Sequence, residues 1–351
     1  MTESMSVGGM LADQLDRMLA DQVTHALLSA AERGEFPSKL WGELEGMGVA
    51  DAMVPEETGG AGLSWIDLEP VFHSLGHHAA PVPLGETIVG RWTLAAAGLS
   101  APEGPLALVN DPLRLDRGGR LVGRAHRVVW APHADHAVAL ATSEDDWQIC
   151  LVPLEDIGPP QNLGSHATIA RVPAADVEFS GRRPVRIAPA PAVLRKLGLK
   201  PTLAVLRSVQ SAGGLDRVLR LSIEYGNTRV QFGRPISKFQ AIQHMIAELA
   251  ELTAAANVAG RIGCRAIDLN DCETGPAIAK CRIGASVTRG VAIAHQVFGA
   301  MGVTDEHVLH FVTRQLLQWR EEGGSEHWWA ERLGRTIVAG GGAQLWGRLT
   351  A

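Results

Sequence analysis

The segment Tyr225–Gln240 constrains this chain more than any other. It reads Tyr-Gly-Asn-Thr-Arg-Val-Gln-Phe-Gly-Arg-Pro-Ile-Ser-Lys-Phe-Gln and lies between helical patterns. Gly233 permits a tight turn, because glycine has no Cβ to oppose a left-handed backbone. Pro235 stiffens the entry to the helix that follows. Beyond it, Ile242, Met245, Ile246, Leu249 and Leu252 recur at the three-and-four spacing of one helical face. Ala277, Ile278, Cys281, Ile283 and Val287 begin another. Long amphipathic helices with few breaks imply a helical bundle from about Leu194 to Trp346.

The N-terminal part is also helical in pattern. Leu11, Leu15, Met18, Leu19, Val23, Ala26 and Leu27 mark one face across Met10–Glu32. Pro37 opens a second helix, with Leu40, Trp41, Leu44 and Met47 inward and Gly48 just past its end. Val54–Gly62 is a breaker cluster, and Ser64 is placed to cap the next helix with Asp67 three residues on. From about Pro105 to Pro189 the character changes. Arg120–Gly123, His126–Trp130, Ala137–Ala141, Gln148–Pro153 and Ala174–Phe179 are strand-like and separated by turns. They predict a small, mainly antiparallel domain, with the Pro-rich stretch Ile187–Val193 as the linker out of it. The expected fold is α+β: an N-terminal helical domain over residues 1–102, a middle β domain over 103–190 and a C-terminal helical bundle over 191–351.

Composition narrows the function classes. The 351 residues are 46% hydrophobic and 20% charged, with a net charge of -6. Such a surface has no general attraction for nucleic acid or an anionic membrane, so phosphate binding must come from a local site. Cys150, Cys264, Cys272 and Cys281 form no CxxC pair and have no zinc-type partners, which predicts free thiols and no metal site. The N-terminal stretch lacks a basic region followed by an apolar core, and no apolar run approaches the ~20 residues that span a bilayer. A cytoplasmic protein without a membrane span is expected.

Tyr225–Gln240 resembles the signature of the acyl-CoA dehydrogenase family, in which a helix ends in an Arg-x-x-Phe-Gly turn and a new helix begins near Phe-Gln. Arg229 offers a fixed fork of donors suited to a diphosphate; alone, it would read as a surface arginine in a turn between helices. A second stretch, Gln296-Val297-Phe298-Gly299-Ala300-Met301-Gly302, resembles the family's Gln-x-x-Gly-Gly-x-Gly loop. Close-set glycines there let backbone amides approach a ligand. The run Phe36-Pro37 to Gly59-Gly60-Ala61-Gly62-Leu63 is a third, structural match. The resemblance implies the family fold, with its C-terminal four-helix bundle, and FAD as cofactor. It implies α,β-dehydrogenation of an acyl-CoA and electron-transfer flavoprotein as acceptor. It assigns flavin contacts to Arg229, Gln231, Phe232, Phe239 and Gln240, and to Gln296, Val297, Phe298, Gly299, Ala300 and Gly302. In the family, the residues matching Arg229, Gln240 and the Gln296–Gly302 loop serve the FAD of a neighbouring subunit.

The chain departs from the family at the flavin ring and at the base. Where members carry a Thr-Glu-Pro-x-x-Gly-Ser-Asp type of segment, this chain has Leu106-Ala-Leu-Val-Asn110-Asp111-Pro112-Leu-Arg114. Aligning the family's Trp-Ile-Thr-Asn on the downstream pair Ala134-Asp135 puts Arg127 at the tryptophan and Val129 at the threonine. A valine cannot donate a hydrogen bond. One branch keeps its catalytic glutamate on the helix before a Gly-Gly pair, where Gly213-Gly214 places Arg207. The commoner branch keeps it late in the chain, where counting from Arg314 places Gly323, with Glu322 one residue early. A one-residue shift turns a helical side chain by ~100°.

The pattern resembles the shorter, partly degenerate subunit of the heteromeric, α2β2 bacterial acyl-CoA dehydrogenases of steroid side-chain degradation. It implies a paralogous partner that supplies the glutamate and the flavin-ring contacts. Two further readings stay open: a self-sufficient homo-oligomer with Glu322 as base, and a flavin-free scaffold subunit.

Overall fold

The computed structural model describes residues 6–341 apart from 145, 156 and 158–167, together with 343 and 345–347. Residues 1–5, part of the stretch read above for a leader, lie outside it. Five helices open the chain: α1 (Val7–Gln22), α2 (His25–Glu32), α3 (Ser38–Gly46), α4 (Trp65–His77) and α5 (Leu84–Ala96). The apolar stripe expected over Met10–Glu32 is therefore split in two. Thr24 adopts an extended conformation and its hydroxyl accepts the Leu27 N–H at 3.2 Å, which starts a new helix at His25. Ser64 caps α4 as expected, with reciprocal bonds between its side chain and Asp67.

Among the described residues seven strands follow: β1 (Leu106–Leu115), β2 (Leu121–Val122), β3 (Arg124–Val129), β4 (His136–Ser143), β5 (Asp146–Pro153), β6 (Ala174–Glu178) and β7 (Arg186–Pro189). One sheet runs β2-β1-β4-β5-β7, and β3 pairs with β6. The pairing is antiparallel except between β1 and β4. Ile187 to Pro189, expected as linker, belongs to β7. Its proline, Pro189, is tolerated because among the described residues β7 is an edge strand, paired with β5.

The C-terminal part consists of α6 (Lys200–Thr228), α7 (Gln240–Asp268), α8 (Thr274–Phe298), α9 (Leu309–Glu321) and α10 (Glu326–Gly340). Between α6 and α7 lies a hairpin of β8 (Val230–Gln231) and β9 (Arg234–Pro235). Helix α6 is the central rod: Pro201 through Leu215 are all buried. Its first half joins the core of the N-terminal helices and the sheet, among Phe72, Ile88, Leu106, Val138 and Leu206. Its second half joins the bundle core, among Leu215, Leu249, Ile283, Val287 and Leu316. A single helix thus carries residues from the sheet side to the far end of the bundle. Among the described residues no helix is long and apolar enough to cross a membrane.

Candidate functional site

At the far end of the bundle, α6 stops where the Arg229 N–H still reaches the Tyr225 carbonyl at 2.9 Å. The hairpin reverses through Phe232 and Gly233, whose φ values of 50° and 80° are both left-handed. Two successive positive φ values match the twist of the paired strands, which suits glycine at the second place. The Ile236 N–H returns to the Arg229 carbonyl at 2.9 Å, closing the loop's base. The Arg234 guanidinium lies 4.2 Å over the Phe239 ring, and Phe232 meets the edge of that ring at 6.1 Å. Arg229, Gln231 and Gln240 point outward, and Phe232 is 91% exposed. Among the described residues the Arg229 guanidinium has no hydrogen bond or ion pair.

The second sequence match sits beside the first. Phe298, at the end of α8, stacks on Tyr225 at 4.3 Å. Gly299 ends α8 at φ 59°, its N–H bonded to the His295 carbonyl. Gln296, Gly299 and Ala300 are exposed, while Val297, Phe298 and Gly302 are buried. The side chains of Val297 and Phe298 are thus committed to the bundle core and are not open to a ligand contact. What this end of the molecule offers is an unpaired guanidinium, three glutamine amides and a glycine-ended helix.

The opposite end of α6 faces a cleft of about 280 Å³ lined by β1, β3, α6 and the α9–α10 turn. It assembles Asn110, Asp111, Arg127, Val129, Arg207 and Glu322, all singled out in the sequence comparison but distant along the chain. Arg127 stands at a register shift between β3 and β6 with φ 52°. Asp176 stabilises that bulge, accepting the Arg127 N–H at 2.9 Å and the Arg124 guanidinium at 3.1 Å.

Arg207 dominates the inner wall. It is 3% exposed, and its Nε donates to Glu322 Oε2 at 2.6 Å. Its other nitrogens donate to Gln210 Oε1 at 2.6 Å and to the buried Glu86. Burial works against the Arg207 charge, but Glu322 and Glu86 more than offset it and raise its pKa above the ordinary arginine value. Glu322 Oε1 in turn accepts from the Gln318 amide at 2.6 Å. Both oxygens of the candidate base are therefore engaged, one of them by a permanent cation.

Gly323, which falls at the family's glutamate place by direct counting, cannot carry a side chain. A Cβ there would stand 2.5 Å from the Ala204 backbone nitrogen. The turn is pinned further by Trp329, whose Nε1 donates to the Gly323 carbonyl at 2.8 Å. Lys280, fully buried on α8, donates to the carbonyls of Trp319, Arg320 and Glu322 at 2.8–2.9 Å. Sequence reading missed Lys280 and Glu86. The available signal was a charged residue at an inward position of an otherwise apolar helix, which demands a partner. Replacing Glu322 with Gln is accordingly expected to change kcat by less than about threefold. A fall of about 10²–10⁴, the usual contribution of a general base, would reinstate Glu322 as the base.

Residues 9–101 match the acyl-CoA dehydrogenase N-terminal domain, and 203–338 match the acyl-CoA dehydrogenase C-terminal domain. The acyl-CoA dehydrogenase IpdE2 of Mycobacterium tuberculosis is 30% identical over 86% of this chain and 88% of its own length. The chain belongs to the acyl-CoA dehydrogenase family. Members are flavoprotein oxidoreductases that act on acyl-CoA. Acyl-CoA dehydrogenase FadE27 of the same organism is 27% identical over 88% of this chain and 89% of its own. The fold matches a Tcur3481–Tcur3483 steroid ACAD with a TM-score of 0.82 at 24% identity, covering 94% of this chain and 97% of that one. It matches the ChsE4–ChsE5 complex of M. tuberculosis at 0.78 and 24%, covering 96% and 98%.

Proposed function

We propose that this chain is one half of a heteromeric FAD-dependent acyl-CoA dehydrogenase. In this reading it closes the diphosphate end of an FAD whose ring is held by a paralogous partner. The observation that carries it is the contrast between the two ends of α6. One end presents the unpaired Arg229 guanidinium outward; the other lines its own cleft with the Glu86–Arg207–Glu322 network.

The fit to FAD divides in the same way. The Arg229 fork suits a diphosphate, and the amides of Gln231, Gln240 and Gln296 with the Gly299 turn suit its sugar and adenine side. In the cleft, Val129 offers no donor, and Arg207 holds the carboxylate that would have to act as base. FAD, when bound, supplies the hydride acceptor of the α,β-dehydrogenation. The residues of this chain orient that cofactor and neutralise its phosphate charge, while the partner's glutamate takes the α-proton. The family resemblance extends the proposal to electron-transfer flavoprotein as acceptor. The likeness to assemblies that include a steroid ACAD directs the substrate proposal to a steroid-derived acyl-CoA thioester.

The test is Arg229→Ala in the co-purified assembly. Losing a charge-assisted bidentate contact should weaken FAD retention by about 10–100-fold while the two chains still associate. Unchanged flavin content would leave a scaffold subunit without a flavin contact.

A further inference from the structure

The two outward segments are joined by a column of rings. Tyr225, the only tyrosine of the chain, stacks on Phe298 at 4.3 Å, and Phe298 meets His307 at 4.6 Å. His307 belongs to the strap between the Gln296–Gly302 loop and α9. Its Nδ1 accepts the Leu309 N–H at 3.1 Å. The N-cap residue of α9, Val308, makes no side-chain cap bond, so His307 performs that role from one residue earlier. An imidazole nitrogen that accepts an N–H carries no proton. Protonating it removes the cap and sets a cation at the positive end of a helix.

The surroundings oppose that proton. Burial holds the pKa of His307, His310 and His295 below the ordinary histidine value. From α6, Glu224 favours a charge on His307 and Arg217 opposes it; His310 of α9 and His25 of α2 oppose it too. Asp305, on the same strap, favours a charge on His310, while Arg314 of α9 opposes one. His310 Nδ1 donates to the His307 carbonyl at 2.8 Å, and His25 Nε2 donates to the Asp305 carbonyl. Beneath the loop, His295 Nδ1 is buried without a partner, 3.0 Å from where a Cβ on Gly302 would stand. His25, His295 and His310 thus surround the strap that carries His307 and leads the loop into α9.

We propose that His307 is a positioning residue. As a neutral imidazole it caps α9 and braces Phe298 against Tyr225, which fixes the Gln296–Gly302 loop relative to the Arg229 hairpin, and its protonation releases the loop. The value of this brace to flavin binding rests on the reading that both segments face FAD. The direction with pH follows from linkage. A histidine whose pKa is lowered by folding contributes order that is complete above about pH 6.5 and lost as pH falls below it.

The test is hydrogen exchange of the backbone amides of residues 299–309 in the full chain, corrected for intrinsic rates, at about pH 8 and about pH 5.5. Wild type should lose protection about tenfold in acid. His307→Asn keeps an acceptor two residues before Leu309 and does not titrate, so its protection should change less than about twofold. An equal acid loss in both proteins overturns the proposal. Imidazole nitrogen NMR of the wild type gives a check that needs no variant. A His307 ring unprotonated at Nδ1 at pH 8 is required, and a ring protonated there overturns the proposal. In the flavin-loaded assembly, acid should release FAD from wild type about tenfold more readily than from His307→Asn. If Arg229→Ala leaves flavin content unchanged while the exchange result holds, the FAD reading fails and the brace stands.

Discussion

Replacing Arg207 with leucine should lower the unfolding free energy by about 3–5 kcal/mol, the usual cost of breaking a buried ion pair from one side. The guanidinium is buried at 3% exposure, bonded to Glu86, Glu322 and Gln210. Removing it leaves Glu86, itself 3% exposed, with an uncompensated charge. Glu322 retains Gln318 and a path to water, so Glu86 carries most of the penalty. Combining Arg207→Leu with Glu86→Leu should recover a large part of the loss, because two apolar side chains of similar volume can replace a buried pair at little net cost. Guanidinium unfolding of the single and double variants measures both effects. A single-variant loss below about 1 kcal/mol would mean that the network behaves as a solvated surface pair.

Lys280→Met should be the second large effect, at about 2–4 kcal/mol. It strands three carbonyls at the end of α9 that no other described group serves, at about 1–3 kcal/mol for each buried acceptor left unsatisfied. Part of that cost is offset because methionine fills the space without burying a charge. The same charge gives the effect a pH signature. Burial pushes the Lys280 pKa down from 10.5 to about 7, against the pull of Glu322 and Glu326. The folded state therefore gives up this proton at a lower pH than the unfolded chain does. Wild-type stability should rise relative to Lys280→Met as pH climbs from about 7 toward about 10, by up to about 1.4 kcal/mol per unit. Denaturant unfolding of both proteins at pH 7 and pH 9 tests this, and a gap that stays constant with pH would sink it.

Much of the architecture is local and was therefore legible. The turn at Phe232-Gly233, the capping pair Ser64 and Asp67, and the presence of the long helices α7 and α8 all follow from side-chain spacing and backbone freedom. What was missed depends on distant partners. Strand β1 contains Asn110-Asp111-Pro112, which reads as a breaker. The structure absorbs it as a register shift between Val109 and Leu113 while β1 pairs in parallel with β4. Strand β7 looked like a linker because Pro189 within it is tolerated only on an edge that pairing with β5 creates. Ile242, Met245, Ile246 and Leu252 of the expected buried face of α7 are only partly covered, and Leu249 alone is fully buried; on the expected face of α8, Ile278 is exposed and Cys281 half-buried, while Ala277, Ile283 and Val287 are buried.

At the site, sequence comparison picked out Arg127, Val129, Arg207 and Glu322 one at a time. That they line one cleft, and that Arg207 holds the carboxylate of Glu322, is a tertiary fact. Val297 and Phe298 show the converse. They lie in a segment that matches a ligand loop, yet helical phase turns their side chains into the core. Lys280 lies between Ile278 and Cys281 of the face expected on α8, and only the fold reveals the carbonyls it serves.

The most direct measurement is the flavin count of the assembly formed with a paralogous chain, set against that of this chain alone. The expected result is about one FAD for each pair of unlike chains, lost on Arg229→Ala, with no stoichiometric flavin and no turnover from this chain by itself. One FAD on every copy of this chain alone, with full turnover, would contradict it.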